Sequence, residues 1–134
     1  MLHHKLCHEL GGSLGLPYAP HTVVRPYAMA YTAPAAPAAM ARIAQAMRVP
    51  CVAARAHDLV FTRGGPTSLA ELGFDRADID RVAELATAKP YPHPRDVTRD
   101  GVAALLEDAC AGQLPGGGAR FPRALRLLRN GNQQ

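Results

Sequence analysis

Apolar residues recur along most of this chain with the three-to-four-residue spacing of an amphipathic helix. The clearest case runs from Ala35 to Met47, where Met40, Ile43, Ala44 and Met47 share one face and predict a core-facing helix. The first twelve residues show the same kind of periodicity. No segment sustains the period-two alternation that is typical of strands, so the pattern predicts an all-α fold, a helical bundle.

Glycines and prolines indicate where the other N-terminal elements begin and end. Gly11-Gly12 and Leu16-Pro17 mark a loop after the first helix. A second helix is expected over His21–Tyr31, with Pro26 as a local irregularity, and a further helix over Cys51–Phe61.

Capping residues organise the second half of the chain. Ser68 and Glu71 form a capping-box pattern that predicts a short helix, and the alternating prolines of Pro90–Pro94 predict an extended crossover. Asp75 and Thr98 are expected to cap two longer helices. These helices and their buried faces are Asp75–Lys89, with Ile79, Val82, Leu85 and Ala86, and Arg99–Ala111, with Val102, Leu105, Leu106 and Ala109.

Composition narrows the class of protein. The 134-residue chain is 48% hydrophobic, enough for one domain, and it has no apolar run of about 18 residues and no secretion signal, so we expect a soluble protein without a membrane partner. Its cysteines, Cys7, Cys51 and Cys110, are too few for a disulfide framework, which favours a cytoplasmic location. We expect Cys7 and Cys51 to be small core residues, and His57 and His93 to lie on the surface.

The net charge of +4 comes from the C-terminal tail. Residues 1–111 hold eleven basic and eleven acidic side chains, whereas residues 112–134 add four arginines and no acid. We therefore expect a helical domain over residues 1–111 and a basic, disordered tail over residues 112–134. Four arginines without an aromatic platform do not indicate a nucleic-acid partner.

The opening segment concentrates the candidate chemistry. His4 and His8 lie one helical turn apart on the same face, with Cys7 beside them. Two imidazoles so placed can share a metal ion or a substrate, or they can be ordinary surface histidines. The chain has no glycine-rich turn between a strand and a helix and no GK[ST] element, so a nucleotide cofactor would have to be bound elsewhere.

Several segments together resemble a known family. They are Leu2–Ser13, Leu16-Pro17, His21–Val24, Pro34–Ala44, Gly65–Leu69 and Pro90–Arg95. In this order and spacing, residues 2–111 resemble the C-terminal helical domain of maleylacetate reductases, within the iron-containing alcohol dehydrogenase superfamily. The tail after Gly112 does not resemble the family.

The resemblance implies a two-domain oxidoreductase. An N-terminal half would bind NADH or NADPH, and the helical half would close over a small dicarboxylate, reducing the carbon-carbon double bond of maleylacetate to give 3-oxoadipate in the degradation of aromatic compounds. Metal-dependent relatives hold a divalent ion, iron or zinc, with an aspartate and three histidines. By position, His4 is similar to one of these ligands, and His8 is similar to the histidine near the substrate, a candidate catalytic residue.

The chain departs from the family at the next ligand. That ligand would fall at Tyr18, whereas a histidine stands three residues later, at His21. A phenol is a poor ligand for a divalent ion at neutral pH. Either His21 matches a second histidine of the family run and one ligand is lost, or His21 replaces it and binds the metal together with His4.

Other basic groups suit a dianionic substrate. His3, Lys5 and Arg25 are candidates for binding its carboxylates, although Lys5 and Arg25 are also typical of solvated helix faces. We expect a partial oxidoreductase that is inactive alone and needs a separate nucleotide-binding domain or a homo-oligomer. The alternative is a non-catalytic helical module that binds a metal through His4, His8 and His21 or docks onto a partner subunit.

Overall fold

A computed structural model describes residues 2–16 and 20–114, and this part of the chain contains helices and turns but no strand. The α-helices are α1 Leu2–Leu14, α2 Pro20–Thr32, α3 Pro37–Met47, α4 Val52–Thr62, α5 Ile79–Thr87 and α6 Arg99–Ala111. Short 3-10 turns occupy Ala33–Ala35, Ala70–Leu72 and Arg76–Asp78. The predicted all-α fold is confirmed.

The core lies between α1, α2, α5 and α6. Helix α2 packs against α1, α4 and α6, while α5 packs against α6 and α1. Leu6, Val24, Tyr27, Val82 and Leu106 are fully buried at the centre. Burying each such side chain contributes roughly 1.5–3 kcal/mol relative to leaving it in water. One face of α1 is thereby fixed inward, which leaves His4 and His8 exposed.

Gly11 and Gly12 lie inside α1 and not in the predicted loop. The helix ends one turn later, where Gly15 adopts a left-handed φ of +64° and its amide bonds back to the carbonyl of Gly11. Leu14 and Leu16 pack partly against the core on either side of this turn. Tertiary packing therefore outweighs the cost of about 1 kcal/mol per glycine in a helix.

Helix α3 forms where predicted, but its apolar face is not in the core. None of its residues is buried, and Ile43 and Met47 each remain 40% exposed. The main neighbours of α3 are α4 and the turn at Ala33–Ala35. Because the helix lies at the edge of the bundle, the predicted core role of Met40, Ile43, Ala44 and Met47 is wrong.

The capping residues form the predicted bonds, but Asp75 caps the 3-10 turn Arg76–Asp78, and the helix predicted over Asp75–Lys89 is only Ile79–Thr87. The Glu71 amide donates to the Ser68 hydroxyl, and the Glu71 carboxylate accepts from the Ser68 amide, although the element they start is only a 3-10 turn. Asp75 accepts from the amide of Ala77 ahead of α5, and Thr98 accepts from the amide of Gly101 at the start of α6.

Two predicted placements in and before α4 are reversed. His57 is only 7% exposed, with its ring 6.2 Å from that of Tyr27, because α4 packs against α2 on this side. Cys51 is exposed, since it precedes α4 as an N-cap residue with extended backbone. Cys7 is buried, as predicted.

The predictions for α5 and α6 hold with small differences, and those for Tyr18 and the C-terminal tail lie outside the described residues. Of the expected inward residues of α5, Leu85 is half-buried and Ala83 is buried in addition. Gly112 ends α6 with a left-handed φ of +72°. Tyr18 and the tail after Leu114 lie outside the described residues, so the prediction of a disordered tail stays a prediction. None of the helices in residues 2–16 and 20–114 has the length and apolar character needed to span a membrane.

Candidate functional site

Helix α1 presents two pairs of reactive side chains, each spaced by one turn. His4 and His8 lie on one exposed strip, with ring centroids 5.1 Å apart and planes inclined by 68°. His3 and Cys7 lie on a second strip that faces the start of α2. The 3.6-residue period of the helix separates these two strips, because residues four apart stack while adjacent residues diverge by about 100°.

A cleft opens beside the His4–His8 strip. Its volume is about 410 Å³. The residues that line it are His4, Lys5, His8, Glu9, Lys89, Pro90 and Tyr91. Three of the predicted site residues, His4, Lys5 and His8, are therefore brought together on one wall.

An ion pair on α1 sets the charge of this wall. The Lys5 ammonium lies 2.8 Å from the Glu9 carboxylate, one turn away, and the Ser13 hydroxyl donates to the same carboxylate at 3.3 Å. The hydrogen bond from Lys5 lowers the pKa of Glu9, which keeps it ionised at neutral pH. Lys5 thus enters the cleft with a compensated charge, and the imidazoles of His4 and His8 are the other donors that α1 places there.

The opposite wall comes from the extended segment that begins at Lys89. The Tyr91 hydroxyl is buried and has no hydrogen-bond partner within the described residues, and burial raises the pKa of its phenol. Sequence reasoning missed Lys89 and Tyr91 as cleft residues. The alternating prolines predicted an extended segment, but only the packing of α5 against α1 brings it alongside the histidines.

A second cluster joins His3, Cys7 and His21. Their nitrogen and sulfur ligand atoms all lie within 4.8 Å of one another. The His3 Nε2 atom is 2.9 Å from the His21 carbonyl oxygen and 3.7 Å from the Cys7 sulfur. Burial lowers the pKa of His3, and the nearby positive charge of Arg25 lowers it further. Burial also raises the pKa of the Cys7 thiol to about 11.

The structure thus divides the predicted site residues between two places. His4, Lys5 and His8 line the cleft, whereas the predicted substrate residues His3 and Arg25 lie with His21 at the second cluster. Among the described residues His4 belongs to no group of three metal donors, so His4 and His21 are not brought together in one such group. Their joint assignment to a metal stays a prediction.

Comparison with known proteins shows which family the chain belongs to. Residues 1–110 match the C-terminal model of the Fe-containing alcohol dehydrogenase family, and the chain belongs to this family. Its relatives include maleylacetate reductase 1 of Rhodococcus opacus, 52% identical, and the maleylacetate reductase of Burkholderia cepacia, 47% identical, each over 85% of this chain.

Solved structures of proteins from this family have the same fold as this chain. The crystal structure of maleylacetate reductase from Rhizobium sp. strain MTP-10005 superimposes with a TM-score of 0.81 at 45% identity, covering 86% of this chain. The iron-containing alcohol dehydrogenase of Corynebacterium glutamicum gives a TM-score of 0.74 at 36% identity, over 81% of this chain. The chain spans only about a third of the length of these relatives, at 32% and 33% of the two curated proteins and 33% and 31% of the two structures.

The family name implies an iron ion, and the residues that line the cleft show whether iron could be coordinated there. The cleft supplies the two imidazoles of His4 and His8, while its carboxylate, Glu9, is paired with Lys5. A divalent iron site needs more converging donors than two imidazoles. The described residues therefore do not fit a complete iron site.

Proposed function

We propose that this chain is the helical, substrate-facing part of an NAD(P)H-dependent oxidoreductase of the maleylacetate reductase type. The observation that carries the proposal is the cleft in which His4 and His8 meet opposite Tyr91, on a chain that is 52% identical to a maleylacetate reductase over 85% of its length. A cleft lined by the imidazoles of His4 and His8 and by two lysines offers hydrogen-bond donors to a small dicarboxylate, whereas the Tyr91 hydroxyl is buried.

The charge around the cleft suits an anionic ligand. Lys89 and Lys5 are cationic, and Glu9 neutralises only one of them. A substrate with two carboxylates would displace weakly held water and meet donors from both walls. Arg25, at the adjacent cluster, would extend the positive potential, but neither Arg25 nor His3 lines the cleft, so neither would touch a molecule seated between His8 and Tyr91.

We assign His8 the proton transfer of the reaction. NADH or NADPH, bound outside the described residues, would supply the hydride for one carbon of the double bond. The electron pair released from that bond would take a proton at the neighbouring carbon, and His8 would donate it. Imidazole is the side chain that exchanges protons near neutral pH, and an exposed ring at the cleft exchanges with solvent between turnovers.

The nucleotide-binding part has no counterpart in the described residues. Dinucleotide binding of the doubly wound kind needs a glycine-rich turn between a strand and a helix, and residues 2–16 and 20–114 form no strand. The matched relatives are about three times as long as the matched segment. We therefore propose that the chain reduces maleylacetate only together with a nucleotide-binding domain, in the cytoplasm.

Histidine NMR tests the ligand class on the chain itself. Adding maleylacetate to the purified protein is expected to shift the ring signals of His4 and His8 and to leave the buried ring of His57 unchanged. Acetate at equal ionic strength is the control, because it carries one carboxylate. Shifts that are equal for the two ligands, or that appear at His57 and not at His8, would contradict the proposal.

A further inference from the structure

We propose that His3, Cys7 and His21 form a binding site for a thiophilic divalent cation such as Zn²⁺, separate from the His4–His8 cleft. The site does not rest on the reductase proposal, since it uses none of the residues that line the cleft. Two helices build it: α1 contributes His3 and Cys7 one turn apart, and α2 contributes His21 near its first residue.

The geometry is close to that of a metal site. Zinc bonds of about 2.0–2.3 Å in a tetrahedron place nitrogen and sulfur donors roughly 3.5 Å apart. The Cys7 sulfur is already 3.7 Å from His3 Nε2, and the His3 and His21 rings are 5.2 Å apart between centroids. The His21 side chain is exposed, so a small rotation about its side-chain bonds brings its nitrogen to bonding distance.

The chemistry of binding is an exchange of protons for metal. The metal–sulfur bond forms as the Cys7 S–H bond breaks and its proton passes to solvent. His3 gives up the hydrogen bond from its Nε2–H to the His21 carbonyl, the proton moves to Nδ1 by exchange with solvent, and the Nε2 lone pair then binds the ion. Two imidazoles, one thiolate and a water molecule complete four-coordination, and the exposure of His21 leaves the water position open to solvent.

The nitrogen and sulfur ligands and the charge of Arg25 together select the class of metal. The positive charge of Arg25 acts on both His3 and Cys7, and it opposes any cation that binds through charge alone. Hard ions such as Mg²⁺ take oxygen ligands and gain little from this cluster. An ion that forms a strong bond to a thiolate overcomes the repulsion, because the same positive charge favours the thiolate.

Cobalt is the probe, because Co²⁺ bound to a thiolate has a charge-transfer band in the near ultraviolet. Titrating the tag-free 134-residue chain with Co²⁺ is expected to produce this band at one equivalent, and Zn²⁺, but not Mg²⁺, is expected to abolish it. Cys7→Ser should remove the band. His21→Gln should weaken Co²⁺ binding by at least tenfold. Losing a residue that only supports a metal ligand already costs about tenfold or more in affinity, and His21 would be a ligand itself.

Matched variants keep the test decisive. Cys51→Ser removes an exposed thiol, and His8→Gln removes an exposed imidazole of the same helix; both should retain the band. Far-ultraviolet circular dichroism checks that each variant is folded, and His21→Gln alters only an exposed side chain. A band that survives Cys7→Ser, a band lost in Cys51→Ser or His8→Gln, an unchanged affinity in folded His21→Gln, or no band at all would overturn the proposal.

Discussion

The Lys5 ammonium and the Glu9 carboxylate, one turn apart on α1, form a 2.8 Å ion pair inside the cleft that also holds His4 and His8. A dicarboxylate entering the cleft therefore competes with Glu9 for Lys5. Both side chains are partly buried, and an ion pair between residues four apart on a helix contributes at most about 1 kcal/mol. This competition costs little energy, but it determines whether the Lys5 ammonium is available to bind a substrate carboxylate.

Glu9→Gln should tighten dicarboxylate binding. Removing the carboxylate frees Lys5 and removes a negative charge from the wall, so affinity should rise by up to about fivefold. Calorimetric titration with maleylacetate measures the change. Glu107→Gln is the matched control, because Glu107 is also an acid in an ion pair, with Arg76, and does not line the cleft. Equal effects of the two substitutions would contradict a role for Glu9.

The buried ring of His57 should make the fold less stable in mild acid. Burial lowers the pKa of folded His57 below its ordinary 6.5, although Asp58 and the Gly112 backbone partly offset this. As the pH falls below about 6.5, the unfolded chain gains the proton first, so the free energy of unfolding decreases, and it levels off below the folded pKa.

Urea unfolding between about pH 7.5 and 5.5 measures this dependence. The loss of stability should be smaller in His57→Gln than in the unsubstituted chain. His8→Gln should keep the original profile, because its ring stays exposed to water in the fold. Parallel profiles for the His57 variant and the unsubstituted chain would show that this ring does not cause the loss.

Two glycines within helices should respond oppositely to alanine. A Cβ atom at Gly101 would meet the Tyr31 hydroxyl at 2.8 Å and the Thr98 hydroxyl at 2.9 Å, and this hydroxyl of Tyr31 donates to the Asp96 carbonyl. Gly101→Ala should therefore destabilise the fold by about 1–3 kcal/mol. Gly12→Ala meets nothing within 4 Å and should stabilise it by about 0.5–1 kcal/mol. The melting temperatures of the two variants measure these changes. Stabilisation by Gly101→Ala would contradict the close packing of Tyr31 and Thr98 against Gly101.

The exposed face of α3 should contribute little to stability. Ile43→Ala should cost less than about 1 kcal/mol, because 40% of the side chain is already in water, whereas Leu106→Ala in the core should cost about 2–5 kcal/mol. Urea denaturation compares the two. A cost for Ile43→Ala that equals that of Leu106→Ala would mean that this face is covered in solution.

Local signals in the sequence predicted where helices and turns begin better than they predicted which helices pack against one another. The Ser68–Glu71 box and the Asp75 and Thr98 caps act through bonds spanning two or three residues, so the sequence alone identifies them. The exposure of Ile43 and the burial of His57 depend on where α3 and α4 lie in the bundle. Helical periodicity shows that a face is apolar, but not what covers it.

The same limit applies to the candidate site. The spacing of His4 and His8 was enough to predict their contact, which depends on one helix only. The meeting of His3 and Cys7 with His21 requires the packing of α1 on α2, and the approach of Tyr91 requires α5 on α1. Sequence spacing could not supply either relationship, because the partners are separated by a turn or by several elements.

If the His4–His8 cleft is one wall of a reductase site, it should support turnover once a nucleotide-binding domain is supplied. In a chimaera, residues 2–111 replace the matching C-terminal third of the Rhizobium maleylacetate reductase, and maleylacetate-dependent oxidation of NADH or NADPH is followed by absorbance. We expect measurable turnover that falls by about a hundredfold or more in His8→Gln. A folded chimaera that does not turn over, or one in which His8→Gln is as active as its parent, would contradict this role of the cleft.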